Sequence, residues 1–171
     1  MSKPRAEAEH DSDEHETEKM SRILGSSVAE LAESSEHADY AKYGYHHVYL
    51  ANIESIPEIT RHFFDAGYLL EMVTCQDRRD DAGTMRLVYT FNHLAHLDRH
   101  LVHADVAADA EAPSITSLYQ AADWFEREVY DMYGVRFSGH PNLKRILLPE
   151  DADFYALRKD FGRIEDAPQE S

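Results

Sequence analysis

The sequence predicts an α+β fold: an antiparallel or mixed sheet of about four strands, covered by helices, with an extended C-terminal arm. Three observations predict it. The elements run helix, strand, helix, three strands, helix, tail, a segregated order rather than a strict alternation of strand and helix. Two strand-like runs, Tyr68–Cys75 (YLLEMVTC) and Thr84–Phe91 (TMRLVYTF), flank the turn residues Asp81-Ala82-Gly83 and should pair as a hairpin. Leu118, Ala122, Phe125, Val129 and Met132 recur four, three, four and three apart, which makes one apolar seam on a helix that must lie against something.

Taken in order, residues 1–19 carry seven acids, three bases and almost no large apolar side chain. Such a segment buries too little surface to offset its ordering entropy, so it reads as a disordered acidic tail. Residues 20–134 form the α+β domain and 135–171 the arm. Ile23, Leu24, Val28 and Leu31 give the stretch 20–33 an amphipathic helical pattern. Ser34–Tyr43 is polar and reads as a connection. Tyr45–Leu50 (YHHVYL) is aromatic and branched, a strand. Asn52 or Ser55 caps a helix that carries Pro57 in its first turn and runs to about Ala66, with Ile56, Ile59, Phe63 and Phe64 facing inward. Gly67 fits its stop. After the hairpin, whose polar loop is Gln76–Gly83, Asp98–Val106 is a fourth strand. Glu111–Ser117 is a loop, and Ser114 or Ser117 caps the last helix, Leu118–Tyr133.

Composition narrows the function. A formal net charge of −16 argues against nucleic acid as the main partner, because phosphate binding needs a positive surface. The lone cysteine, Cys75, forms no internal disulfide, cannot by itself hold an iron–sulfur cluster, and reads as a small core residue. No apolar run approaches the ~20 residues of a membrane span and no secretory leader is visible, so a cytoplasmic protein that meets a membrane only through a partner is expected. Glycine-rich phosphate loops and the hydrolase elbow are absent from the sequence.

Three constellations remain. His93, His96, His100 and His103 would share a face on a helix and offer zinc ligands there, but the surrounding residues are strand-like, and a strand divides them between faces. On the last helix, Ala121, Trp124, Glu128 and Asp131 form a second stripe, with Arg127 four residues from both Asp123 and Asp131. Spacing alone leaves two readings open: a surface ion-pair ladder, or a partner-facing stripe with its charges held in place. Beyond Gly134 the charge balance inverts. Arg136–Arg163 holds six of the seventeen bases against four acids, around a Gly139-His140-Pro141 turn and the apolar residues Leu143, Ile146, Leu147 and Leu148. Apolar anchors flanked by arginines suit a segment that binds along another subunit.

The run Trp124-Phe125-Glu126-Arg127-Glu128-Val129-Tyr130-Asp131-Met132-Tyr133-Gly134, followed by Phe137, Gly139-His140-Pro141, Leu143 and Arg145-Ile146, resembles the signature of the 30-kilodalton subunit of respiratory complex I. The related subunit of membrane-bound, energy-converting nickel–iron hydrogenases belongs to the same family. The resemblance covers Pro113 through Phe161 and leaves residues 1–40 uncovered. It implies a cofactor-free subunit packed on a large hydrogenase-like (49-kilodalton-type) subunit and near a small iron–sulfur subunit, with its C-terminal extension wrapped over the large one. Iron–sulfur clusters and a nickel–iron centre or quinone would belong to those partners. Leu147-Leu148-Pro149-Glu150-Asp151 resembles the hydrogenase branch more than the quinone-reducing one. Leu157-Arg158-Lys159-Asp160-Phe161 fits the closing motif, with Ala156 in place of the family's usual proline and Tyr133 where phenylalanine is frequent.

The expected interface therefore comprises Trp124, Glu126, Arg127, Glu128, Asp131, Gly139, His140, Pro141, Arg145, Arg158, Lys159 and Asp160, with no catalytic or metal site in this chain. Replacing Arg145 and Arg158 by alanine is expected to weaken assembly and leave the isolated fold intact. The rival readings are a free-standing metalloprotein using the histidine cluster and a generic acidic adaptor outside any redox complex.

Overall fold

The computed structural model describes residues 24–162, so the acidic tail and the last part of the arm lie outside the described residues. Residues 24–31 are helical (α1) and bury Leu24 and Val28. Ser34–His37 (β1) and Tyr40–Tyr43 (α2) follow, where the polar composition predicted only a connection. Strand β1 hides nothing: all four residues are exposed, and backbone pairing with His47–Ala51 (β2) holds it. A strand of that kind leaves no apolar alternation in its sequence.

The Asn52 side chain caps a 3₁₀ turn, Ile53–Ser55, which runs into α3, Ile56–Asp65, with Pro57 in its first turn. Ile56, Ile59 and Phe63 are buried as the period predicts. Phe64 is not: it is 44% exposed and meets the edge of the Tyr119 ring at 5.4 Å. Leu69–Arg78 (β3) and Thr84–His93 (β4) form the expected antiparallel hairpin, closed by the single turn Arg79–Ala82 (α4) and Gly83. Both strands outlast their apolar runs. Asp98–Ala107 (β5) pairs with β4 on one side and β2 on the other.

The sheet has five strands in the order β1-β2-β5-β4-β3, one more than predicted, and is mixed because β2 and β5 run parallel. Alternate residues of its strands, Tyr49, Val102, Tyr89 and Val73, form one cross-strand row in the core, with α1, α3 and the last helix packed on it. On the opposite parity, Arg86 and Asp105 stand directly across from each other and pair at 2.7 Å.

Glu111–Pro113 (β6), read from the sequence as part of the loop Glu111–Ser117, pairs in parallel with Arg136–Ser138 (β7). Between them lies the last helix, α5, Ala122–Tyr133. It begins four residues later than Leu118, and Ala121, at its N-cap, makes no side-chain cap. The preceding residues form turns on the Ile115 carbonyl, and Ser114 is engaged elsewhere. The β6–α5–β7 unit thus brings the start of the arm back beside the domain.

Candidate protein interface

Helix α5 buries Ala122, Val129 and Met132 of the predicted seam, with Leu118 and Phe125 partly buried against the same core. It also buries two carboxylates, and each holds a different piece of chain. Glu126 Oε1 accepts the Ile115 N–H at 2.8 Å and Oε2 accepts the Ser114 hydroxyl at 2.7 Å. Both bonds tie the approach to α5 onto the helix itself. Burial pushes the Glu126 carboxyl up to about 7, since two neutral donors and no cation do not offset the loss of water.

Asp131 faces the arm. Its Oδ2 accepts the successive backbone N–H groups of Ile146, Leu147 and Leu148 at 2.9, 2.7 and 3.0 Å, and its Oδ1 accepts Arg145 Nη1 at 2.7 Å. Burial pushes this carboxyl up, but the N–H donors and the guanidinium outweigh it and hold it down at about 2. Arg145 then reaches back along the arm to the carbonyls of Ala152 and Phe154. One carboxylate and one guanidinium therefore shape residues 145–154 without regular secondary structure.

Gly134 ends α5 at φ +80°, a left-handed position that favours glycine. Space demands glycine there as well. A Cβ would stand 2.4 Å from Arg158 Nη2 and 2.7 Å from the Tyr155 ring. Arg158 donates from Nε to the Tyr133 carbonyl at 2.6 Å and lies on the Tyr155 ring at 4.1 Å. Farther along, the Leu157 N–H reaches the Met132 carbonyl, and the Lys159 N–H reaches Asp77 Oδ2 at 2.9 Å. Asp77 pairs with Arg79, and Arg79 pairs with Asp160 at 2.8 Å. The Arg79 side chain and the Lys159 N–H together hold the Asp77 carboxyl below the usual carboxylate range, against its burial.

The Gly139-His140-Pro141 turn is seated on α5. The Asn142 N–H donates to His140 Nδ1 at 3.0 Å, which leaves the ring proton on Nε2 to meet the Asp123 carbonyl at 3.2 Å. Arg127 makes no ladder: it donates to the Lys144 and Arg145 carbonyls and lies 5.2 Å over the Trp124 ring. Trp124 itself is 61% exposed.

Of the twelve predicted interface residues, Trp124, Glu128, Gly139, Pro141, Lys159 and Asp160 are exposed, while Glu126 and Asp131 are fully buried. Arg127, His140, Arg145 and Arg158 turn their polar atoms onto this chain. Arg145 and Arg158 both hold the arm to α5, so replacing them acts on the arm's seat as well as on any partner contact. Sequence reasoning took Ser114 for a helix cap rather than the donor to Glu126, and missed Asp77, Arg79 and Tyr155. Only Tyr155 lies in the arm; the rest are distant in sequence from what they hold. The apolar side chains left outward on the arm are Leu147, Phe154, Leu157 and Phe161.

The histidines are divided as a strand requires. His100 is buried, bonded to Asp98 at 2.9 Å and to Tyr49, while His103 falls on the other face of β5. Asp98 also accepts the Tyr68 hydroxyl and pairs with His46 at 3.1 Å. His93 and His96 stack at the β4–β5 turn. Among the described residues no group of three or more His, Cys, Asp or Glu side chains is placed to hold a metal ion, and no helix is long and apolar enough to cross a membrane. Cys75 is buried, its thiol pushed up to about 12 by that burial.

The family model described as "Respiratory-chain NADH dehydrogenase, 30 Kd subunit" matches residues 50–166. Over 82 residues the chain is 45% identical to the C subunit of NADH-quinone oxidoreductase from Chloroherpeton thalassium, covering 46% of this chain and 34% of that protein. Over 97 residues it is 53% identical to the J subunit of NAD(P)H-quinone oxidoreductase from Prochlorococcus marinus, covering 51% of this chain and 56% of that protein. The match thus spans about a third of the first relative and little more than half of the second. Among solved structures, a chain of the membrane-bound sulfane sulfur reductase, an archaeal respiratory membrane complex, superposes with a TM-score of 0.70 at 22% identity, covering 84% of this chain and 86% of that one. That likeness shows a shared fold.

Proposed function

Because the chain belongs to the family of the 30-kilodalton subunit of respiratory-chain NADH dehydrogenase, we propose that it is a structural and assembly subunit of a membrane-bound electron-transferring complex. It binds no cofactor itself, packs on the large hydrogenase-like subunit near the small iron–sulfur subunit, and sits on the cytoplasmic face of the membrane. Clusters, a nickel–iron centre or quinone are carried by those neighbours.

One observation carries this reading. The described part of the arm is fastened at successive points to α5 and β3, yet it leaves Leu147, Phe154, Leu157 and Phe161 outward. A segment held so firmly while presenting large apolar groups to water is shaped for a second surface. The buried polar groups fit the same reading. Glu126, Asp131, Asp98 and His100 are each engaged by partners within the chain, which gives them structural work.

Two branches are favoured by different observations. Leu147-Leu148-Pro149-Glu150-Asp151 favours the energy-converting nickel–iron hydrogenase or formate-hydrogenlyase type. The names of the curated relatives favour NADH:quinone oxidoreductase. Purifying the tagged chain from membranes of its own cell tests both levels. A large subunit recovered in equal amount supports the assembly role, and its absence sinks it. Nickel with hydrogen evolution in the recovered complex selects the first branch; NADH-dependent quinone reduction without nickel selects the second.

A further inference from the structure

Three of the arginines that make the arm basic in sequence are engaged within this chain, although Arg136 stays exposed. Arg136 pairs with Glu111 at 3.0 Å, Arg145 with Asp131 and two carbonyls, and Arg158 with the Tyr133 carbonyl. The acids do not follow them: Glu150, Asp151 and Asp153 are exposed. Of the other described bases, both exposed, Lys159 binds Asp77 through its backbone N–H and Lys144 lies beside α5, its carbonyl accepting from Arg127. The outer side of residues 150–161, with four acids against the exposed Lys159 once Arg158 is turned onto the chain, is therefore acidic.

That side contains a cleft of about 290 Å³ lined by Asp153, Phe154, Tyr155, Arg158, Asp160 and Phe161. Phe154 and Phe161 stack at 5.0 Å to form one wall and are 38% and 49% exposed. The charged lining comprises the Arg158 guanidinium, which lies on Tyr155 and donates to the Tyr133 carbonyl, and the Asp153 and Asp160 carboxylates at the rim, the latter shared with Arg79. Exposed aromatic rings beside carboxylates are complementary to a guanidinium or ammonium group, which gains ring attraction and a charge-assisted hydrogen bond together.

We propose that this cleft receives an arginine or lysine side chain projecting from the neighbouring subunit, so that the arm docks through an apolar and acidic face rather than a basic one. The inference rests on the assembly reading above and names the partner surface that reading needs: apolar, with a basic side chain at its centre.

The test uses the tagged full-length chain, purified with its complex from cells carrying Asp153→Lys, Asp153→Asn, Phe161→Ala or Lys144→Glu. Asp153→Lys places like charges in contact and should reduce the retained large subunit by roughly tenfold or more, with Phe161→Ala close behind. Asp153→Asn should fall between Asp153→Lys and wild type, and Lys144→Glu should match wild type. The melting temperature of isolated Asp153→Lys should stay within a degree or two of wild type, since the side chain is exposed. Unchanged retention for both Asp153 variants overturns the proposal. So does weaker retention with Lys144→Glu together with stronger retention with Asp153→Lys, which would mean an acidic partner. Recovery of only a second copy of this chain also overturns it. Failure of wild type to retain any large subunit sinks the assembly reading instead, before the variants are compared.

Discussion

Glu126 and Asp131 lie five residues apart on α5, both without exposed surface, yet their carboxylates differ in kind. Glu126 has only neutral donors and is pushed toward its protonated form, whereas Asp131 has three N–H groups and a guanidinium and stays ionised. The difference decides what each substitution should do. Asp131→Ala leaves Arg145 unpaired and three N–H groups without their acceptor, a loss of about 3–5 kcal/mol if the arm stays docked. The arm has a cheaper response, which is to leave α5. The expected outcome is rapid amide exchange at Ile146, Leu147 and Leu148 with β3 and β4 still protected. Continued protection of those three amides would mean that Asp131 is not what holds the arm. Asp131→Asn keeps one acceptor oxygen but loses the charge and should give intermediate exchange. The spacing that sets Trp124, Glu128 and Asp131 on one helical stripe says nothing of burial, and burial separates its members: Trp124 is open to solvent and Asp131 is sealed under the arm.

At the scale of elements, α5 and its stop were legible because the relevant signals are local. An apolar seam every three or four residues and a glycine after Tyr133 lie within one stretch of chain. The hairpin β3–β4 was legible for the same reason. Strands β1 and β6 were not, since each is three or four residues long and gains its place by backbone pairing, with β6 depending on a strand 25 residues downstream. The arm was read as extended and basic because its anchors are remote: Asp77 receives the Lys159 N–H from 82 residues away, and no pattern near either residue announces the other. Gly134 joins the two kinds of information. Its left-handed φ could be expected from the helix stop, but its closeness to Tyr155 and Arg158 could not. Gly134→Ala should therefore do more than strain a cap. It should cost about 1 kcal/mol or more at the helix end and also push Tyr155 and Arg158 off their seats. Limited proteolysis should then cut near residues 150–160 much faster than in wild type, while Gly83→Ala, which meets nothing within 4 Å, should leave that cleavage unchanged. Equal protection in both variants would show that the arm adjusts around a methyl group.

At the scale of the whole molecule, ionisation makes folding stability depend on pH from two sides. Asp131 and Asp77 are held below their ordinary range, so their contribution is complete above about pH 4 and is lost as pH falls through their folded values, about 2 for Asp131. His47 is lowered to about 4 by burial and by the neighbouring His100 and His37; its neutral form is the one that fits, and stability is lost as pH falls from about 6.5 toward 4. Glu126 has the opposite sign. Its carboxyl is raised to about 7, so its contribution is complete below about pH 4.5 and is lost as pH rises through 7. At roughly 1.4 kcal/mol per pH unit, that loss is about 3 kcal/mol. Wild type alone cannot separate the limbs, because His47 and Glu126 titrate over the same interval in opposite directions. The difference between wild type and Glu126→Gln can, since His47 is common to both. Gln keeps an oxygen for the Ile115 N–H and carries no charge at any pH. The variant should gain stability relative to wild type as pH rises from 5 to 8, by about 3 kcal/mol in urea denaturation, with no further gain above pH 8. A difference that stays flat across that range would mean that Glu126 is ionised inside the fold and that the Ser114 and Ile115 donors suffice to hold its charge.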